Sequence, residues 1–127
     1  MRFMMLLPAP VDVLEQSAVP DKDLVVAMTK YDDEMRKAGV LLMEAGLHPT
    51  SKGTRLRRSG GKAIITDGPF TEAKEVIAGF WIIQTRSKEE AIEWAKRCPL
   101  PDQGLIEIRP IFESTDFPPE LQRKNEK

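Results

Sequence analysis

Residues 76–85, Val-Ile-Ala-Gly-Phe-Trp-Ile-Ile-Gln-Thr, limit the possible folds more than any other stretch of the chain. Side chains of a strand alternate between its two faces. Here both sets are apolar: Val76, Ala78, Phe80 and Ile82 on one side, Ile77, Gly79, Trp81 and Ile83 on the other. A strand of this kind is covered on both faces. The rest of the chain offers two helical segments, which suffice for one face of a sheet. The second face then needs cover from outside the chain, most simply an identical sheet across a two-fold axis.

The neighbouring segments supply that sheet and those helices. Phe3 to Leu7 reads as a buried strand stopped by Pro8 and Pro10, with a loop to about Pro20. From Asp21, the residues Leu24, Met28, Tyr31, Met35 and Ala38 recur at helical spacing, with Asp32, Asp33, Arg36 and Lys37 on the opposite side and Gly39 as the stop. Val40 to Ala45 is a second strand. Thr54 to Arg58 and Lys62 to Thr66 form a hairpin around Gly60-Gly61. Ser87-Lys88-Glu89-Glu90 is a capping box that opens a second helix, with Ala91, Trp94, Ala95 and Cys98 facing inward and Pro99 at its end. Leu105 to Phe112 is the last strand. The order is that of an α+β, ferredoxin-like βαββαβ unit with an extra hairpin inserted before the third core strand. One domain spans residues 1–115, and 116–127 reads as a flexible tail poor in apolar residues.

Composition narrows the function classes. A chain of 127 residues is about one domain. Nineteen basic against twenty acidic residues give no net field to favour nucleic acid or an anionic membrane surface. Arg55, Arg57, Arg58, Lys62 and Lys52 make the nearest approach to a basic patch and read as a solvated hairpin face. A single cysteine excludes an intrachain disulfide, and no apolar run approaches the ~20 residues that span a bilayer. Met1 to Leu7 is too short for a signal segment, so a cytoplasmic location is expected. The one histidine rules out a histidine-rich metal site, and no cofactor is implied. Cys98, on the inner stripe near a helix end, reads as a packing residue.

The densest cluster of polar chemistry is Asp67-Gly68-Pro69-Phe70-Thr71-Glu72-Ala73-Lys74-Glu75. Gly68-Pro69 forces a turn, and the charges around Phe70 stand close enough to shift one another's proton affinity. Two readings follow: a binding or proton-transfer loop, or a capped turn whose charges pair with one another and with backbone amides. Strand parity marks further groups. If Ile106, Ile108 and Phe112 meet the helices, Glu107 and Arg109 look toward the dimer side, where charges need partners or water. Glu44 shares a face with Val40 and Leu42. A cleft lined by Glu44, Glu107, Arg109 and the loop is one outcome; an ion-pair network between strands or subunits is the other. His48, before Pro49, reads as a loop residue or as a general base, since histidine titrates nearest neutrality.

The nine-residue loop resembles the DGPF signature of the YCII-related family, with Thr71 and Ala73 as small variations. The blocks Ala38-Gly39-Val40-Leu41-Leu42, Glu44-Ala45-Gly46-Leu47, Gly79-Phe80-Trp81, Glu90-Ala91-Ile92-Glu93-Trp94-Ala95 and Ile106-Glu107-Ile108-Arg109-Pro110 extend the likeness over most of the chain. The resemblance implies a homodimeric α+β barrel. For activity it implies a small-molecule enzyme, an isomerase or lyase moving protons on a polar or hydroxylated aromatic compound. In that reading Asp67 or Glu72 is the base, Lys74 or Arg109 the oxyanion stabiliser and His48 a further catalytic candidate, while Phe70 is a stacking wall and Glu44, Glu75, Glu107 and Arg109 join it in contacting the substrate. Some members of the family carry a histidine and aspartate pair associated with the first helix; here that helix has Asp32 and Asp33 but no histidine. Relatives of the DGPF branch are often encoded beside extracytoplasmic-function sigma factors, which implies the alternative of a non-catalytic ligand-binding or regulatory accessory protein; a third reading is a structural dimer whose charged loop only seals the barrel.

Overall fold

In the computed structural model, residues 1–10 and 21–122 are described. The expected loop up to Pro20 and the last five residues of the tail lie outside them. Among the described residues, six strands and two α-helices follow one another as β1 (Arg2–Pro10), α1 (Lys22–Lys37), β2 (Leu41–Gly46), β3 (Thr54–Ser59), β4 (Lys62–Asp67), β5 (Glu75–Gln84), α2 (Lys88–Lys96) and β6 (Glu107–Pro110). Four strands form one sheet in the order β2-β5-β1-β6, and β3 and β4 pair separately. All pairs are antiparallel. The architecture is α+β and consistent with a ferredoxin-like fold.

Local chemistry explains each boundary that matters to the site. The Asp21 carboxylate accepts the Leu24 amide at 3.1 Å and starts α1. Gly39, at φ +73°, turns the chain out of the helix while the Val40 amide reaches back to the Met35 carbonyl at 2.9 Å. Ser87 caps α2 through the Glu90 amide at 3.1 Å, but the Glu90 side chain accepts from Arg86 rather than from Ser87, so only half of the expected box forms. Gly60 and Gly61 both take positive φ, as a two-residue hairpin turn requires.

Helices and sheet meet in one core of Phe3, Met5, Tyr31, Met35, Val40, Trp81, Ile83, Ala91 and Cys98. Each large side chain enclosed there contributes about 1.5–3 kcal/mol. All the buried helix residues belong to this core, so the helices cover the face of β5 that carries Trp81 and Ile83. The opposite face presents Phe80 and Ile82 beside Leu6 and Met4 of β1, none of them fully buried. Met43 of β2, which pairs with Ile82, is 54% exposed. The doubly apolar strand is thus present, and among the described residues nothing covers one of its faces.

Several expectations are corrected. Pro8 does not stop β1, which runs on to Pro10. Past Leu6 the strand has β5 as its single partner, an edge position where a missing N–H is tolerated, and the register shifts between Leu7 and Pro8. The last strand is shorter than Leu105 to Phe112, running from Glu107 to Pro110. Leu24, expected on the inner stripe of α1, is 40% exposed, because that end of the helix overhangs a cleft instead of the core. In the tail segment the ring of Phe117 stacks on Phe112 with centroids 5.2 Å apart.

Candidate functional site

The first half of the nine-residue loop is braced by partners in the preceding segment. Phe70 is 7% exposed, and the Arg55 guanidinium lies 3.9 Å above its ring. The same arginine pairs with Glu72 at 3.1 Å. Asp67 accepts from the Thr54 hydroxyl at 3.1 Å, the Phe70 amide donates to the Thr50 hydroxyl at 3.0 Å, and the Gly68 amide donates to the Gly53 carbonyl at 2.9 Å. Gly68 lies so close to the Thr50 carbonyl that a Cβ would run into it. The Gly68-Pro69 bond is cis. Lys74 and Glu75 are exposed at the start of β5. This is the capped-turn arrangement, with Phe70 as its plug.

Within one chain the structure divides the residues expected to form one cleft. Glu107 pairs with Leu6 and Arg109 with Met4, on the uncovered face of the sheet, as their parity predicted. They approach each other at 3.9 Å, both well exposed. Glu44 goes to the other side. Leu41 faces Ile83 and Met43 faces Ile82, so Leu42 is an extra residue in β2, and the shift sets Glu44 opposite Trp81 on the helix-covered face. Parity counted through Leu42 had placed it on the dimer side.

Glu44 therefore lines a cleft of about 590 Å³ between α1 and the β2–β5 edge, together with Leu7, Leu24, Val25, Met28, Asp32 and His48. Trp81 forms part of its floor. His48 lies two residues past β2 and is held at the rim by the chain: the Leu47 amide donates to the Ala78 carbonyl at 2.8 Å. Glu44 and His48 make no hydrogen bond or ion pair among the described residues. No group of three or more His, Cys, Asp or Glu side chains able to hold a metal converges among the described residues.

Asp32 is the residue that sequence reasoning placed on the wrong side of its helix. Its carboxylate accepts the Trp81 indole N–H at 2.7 Å, and its Oδ2 has no partner among the described residues. Burial raises the carboxyl above its ordinary range, with Asp33 adding to the shift; the Trp81 hydrogen bond and Arg36 oppose it. The indole is itself fixed. Tyr31 meets Trp81 edge to face at 5.8 Å and anchors its hydroxyl on the Trp94 carbonyl at 2.7 Å. Burial also pushes the Tyr31 hydroxyl up and the Cys98 thiol to about 12, with the Asp32 charge a lesser contributor to the latter. Cys98 is buried, as its place on the inner stripe implied. The available sequence signal for Asp32 was Trp81: an indole buried on a sheet face requires an acceptor, and Asp32 lies one helical turn from Met28 on the flank of the apolar stripe.

The arrangement brings a carboxyl with raised proton affinity, a second carboxylate and an imidazole to one partly apolar cleft. Such a set can bind a small polar molecule or exchange a proton with it. The comparisons agree on kinship and leave chemistry open. Residues 1–115 match the YCII-related domain. An uncharacterized protein of Rhizobium meliloti (strain 1021) is 38% identical over 92 residues, which cover 71% of this chain and 71% of that protein. Among the described residues, no helix is long and apolar enough to cross a membrane.

Proposed function

From the premise that this chain belongs to the YCII-related domain family, we propose that it moves protons on a small molecule bound in the cleft beneath α1, with Asp32 as the proton-transferring group. The reaction class is that of an isomerase or lyase. The observation that carries the reading is the Trp81 to Asp32 hydrogen bond of 2.7 Å at the floor of a largely apolar cleft. It fixes one carboxylate oxygen and leaves Oδ2 for substrate, while burial brings the carboxyl's proton affinity nearer neutrality, where acid-base catalysis is most effective. Glu44 and His48 supply the second proton site or the polar contacts that orient the substrate. The nine-residue loop serves as scaffold.

Deuterium exchange tests this directly. Small carbonyl, lactone and hydroxylated aromatic compounds are incubated with the protein in D2O, and loss of the acidic C–H signal is followed by proton NMR. The expected result is exchange with the native protein and none with Asp32→Asn. Exchange that persists in Asp32→Asn would remove Asp32 from the reaction. Binding without exchange would turn the account to a ligand-binding accessory protein.

The same reading includes a homodimer. Phe80, Ile82, Met4, Leu6 and Met43 form an apolar sheet face with Glu107 and Arg109 at its border, which suits a second copy related by a two-fold axis. Light scattering at micromolar concentration is expected to give twice the 14.3 kDa chain mass, and Ile82→Lys to give the monomer.

A further inference from the structure

The charge and shape of the cleft point to a class of ligand, an inference that rests on the cleft being the site proposed above. Its lining holds two carboxylates, Asp32 and Glu44, and among the described residues no lysine or arginine. The Arg36 guanidinium, one turn along α1 from Asp32, is bound to Asp33 at 2.7 Å. An anionic ligand would bring a third negative charge into a partly apolar space where repulsion is stronger than in bulk water. A cation would meet two attractive groups. The rest of the lining gives the second half of the specification: Leu24 and Val25 are 40% and 46% exposed, and both turn apolar surface toward the cleft beside Met28 and Leu47. Apolar side chains left open beside carboxylates that have no ion-pair partner among the described residues suit a molecule with a greasy body and a cationic head.

We propose that the ligand is a small organic amine, its ammonium group directed to Asp32 and Glu44 and its aryl or alkyl body laid against Leu24, Val25 and Met28. The ammonium supplies several N–H donors, and Asp32 Oδ2 and the Glu44 carboxylate are acceptors without partners among the described residues. His48 at the rim offers one more nitrogen, able to take a hydrogen bond from the same head.

A matched series separates head from body. Protein labelled with nitrogen-15 in its tryptophans gives an indole signal for Trp81, assigned by its persistence in Trp94→Phe, and this signal reports directly on the cleft floor. Titration with 2-phenylethylamine, 2-phenylethanol and 3-phenylpropanoate is expected to saturate at least about tenfold earlier for the amine than for the alcohol, with no binding of the acid. In Glu44→Gln the amine should weaken by about tenfold and the alcohol stay unchanged. Alcohol or acid binding as tightly as the amine would overturn the amine assignment while leaving the proton-transfer reading intact. An indole signal silent to all three would also overturn it, and deuterium exchange measured on the same sample reports separately on the proton-transfer reading.

Discussion

The nine-residue loop and the cleft beneath α1 use similar residues to opposite ends. In the loop Phe70 lies under Arg55, Arg55 holds Glu72, Asp67 takes the Thr54 hydroxyl, and Gly68 fits against Thr50, while Lys74 and Glu75 stand exposed. In the cleft, Asp32 has one oxygen engaged, and Glu44 and His48 make no bond among the described residues. A set of polar groups that satisfy one another builds structure, whereas one left partly unsatisfied in a concave apolar place is suited to a ligand. In the proposed reading the most recognisable motif of this chain acts as a brace, and the chemistry falls to residues with no motif.

If that division is right, substitutions in the loop should change stability and leave ligand binding alone, with the reverse in the cleft. The largest effect is expected for Phe70→Ala, which empties a buried aromatic site and should cost about 3 kcal/mol in urea unfolding. Gly68→Ala follows, at about 2–3 kcal/mol from collision with the Thr50 carbonyl. Gly46→Ala is the control: nothing stands within 4 Å of the added methyl group, so the change should stay within about 0.5 kcal/mol although Gly46 lines the cleft.

Asp32 sharpens the comparison through two substitutions of opposite sign. Asp32→Ala leaves the Trp81 indole N–H without its acceptor and should destabilise by about 1–3 kcal/mol. Asp32→Asn keeps an oxygen for the indole and removes the charge. Because the folded-state carboxyl is raised, its contribution to stability is full at acid pH and is lost as pH rises through the folded value. Asparagine should therefore match or exceed the native stability at neutral pH, and its relative advantage should shrink as pH falls and Asp32 takes up its proton. Thermal unfolding of the two proteins across that range checks the sign.

The smallest effect belongs to the exposed ion pairs. Glu72→Gln, which breaks the pair with Arg55, is expected to cost no more than about 1 kcal/mol, and less at high salt. A loss much larger than that, or any change in ligand binding, would mean that the loop is part of the site.

Element order was legible in the sequence because every signal was local: the Asp21 and Ser87 caps, the Gly39 stop, Gly60-Gly61, and the alternation in β5. The sides taken by Glu107 and Arg109 were legible too, since β6 runs without a register shift against β1. The position of Glu44 was not, because one extra residue at Leu42 reverses parity and nothing in Leu41-Leu42-Met43 announces it. Asp32 was hidden by composition: beside Asp33, Arg36 and Lys37 it reads as part of a solvated face, and its role depends on Trp81, forty-nine positions away. Contacts that distant are set by the sheet as a whole and leave no local pattern.

The central claim concerns one carboxyl, and its titration is the most direct measurement. Carbon-13 NMR of the Asp32 side chain, followed from acid to neutral pH in the native protein and in Trp81→Phe, should show a midpoint above the ordinary aspartate value, moving higher once the indole donor is gone. A midpoint at or below the ordinary value, unchanged by Trp81→Phe, would show Asp32 to be a solvated surface charge and remove the proton-transferring group from the cleft.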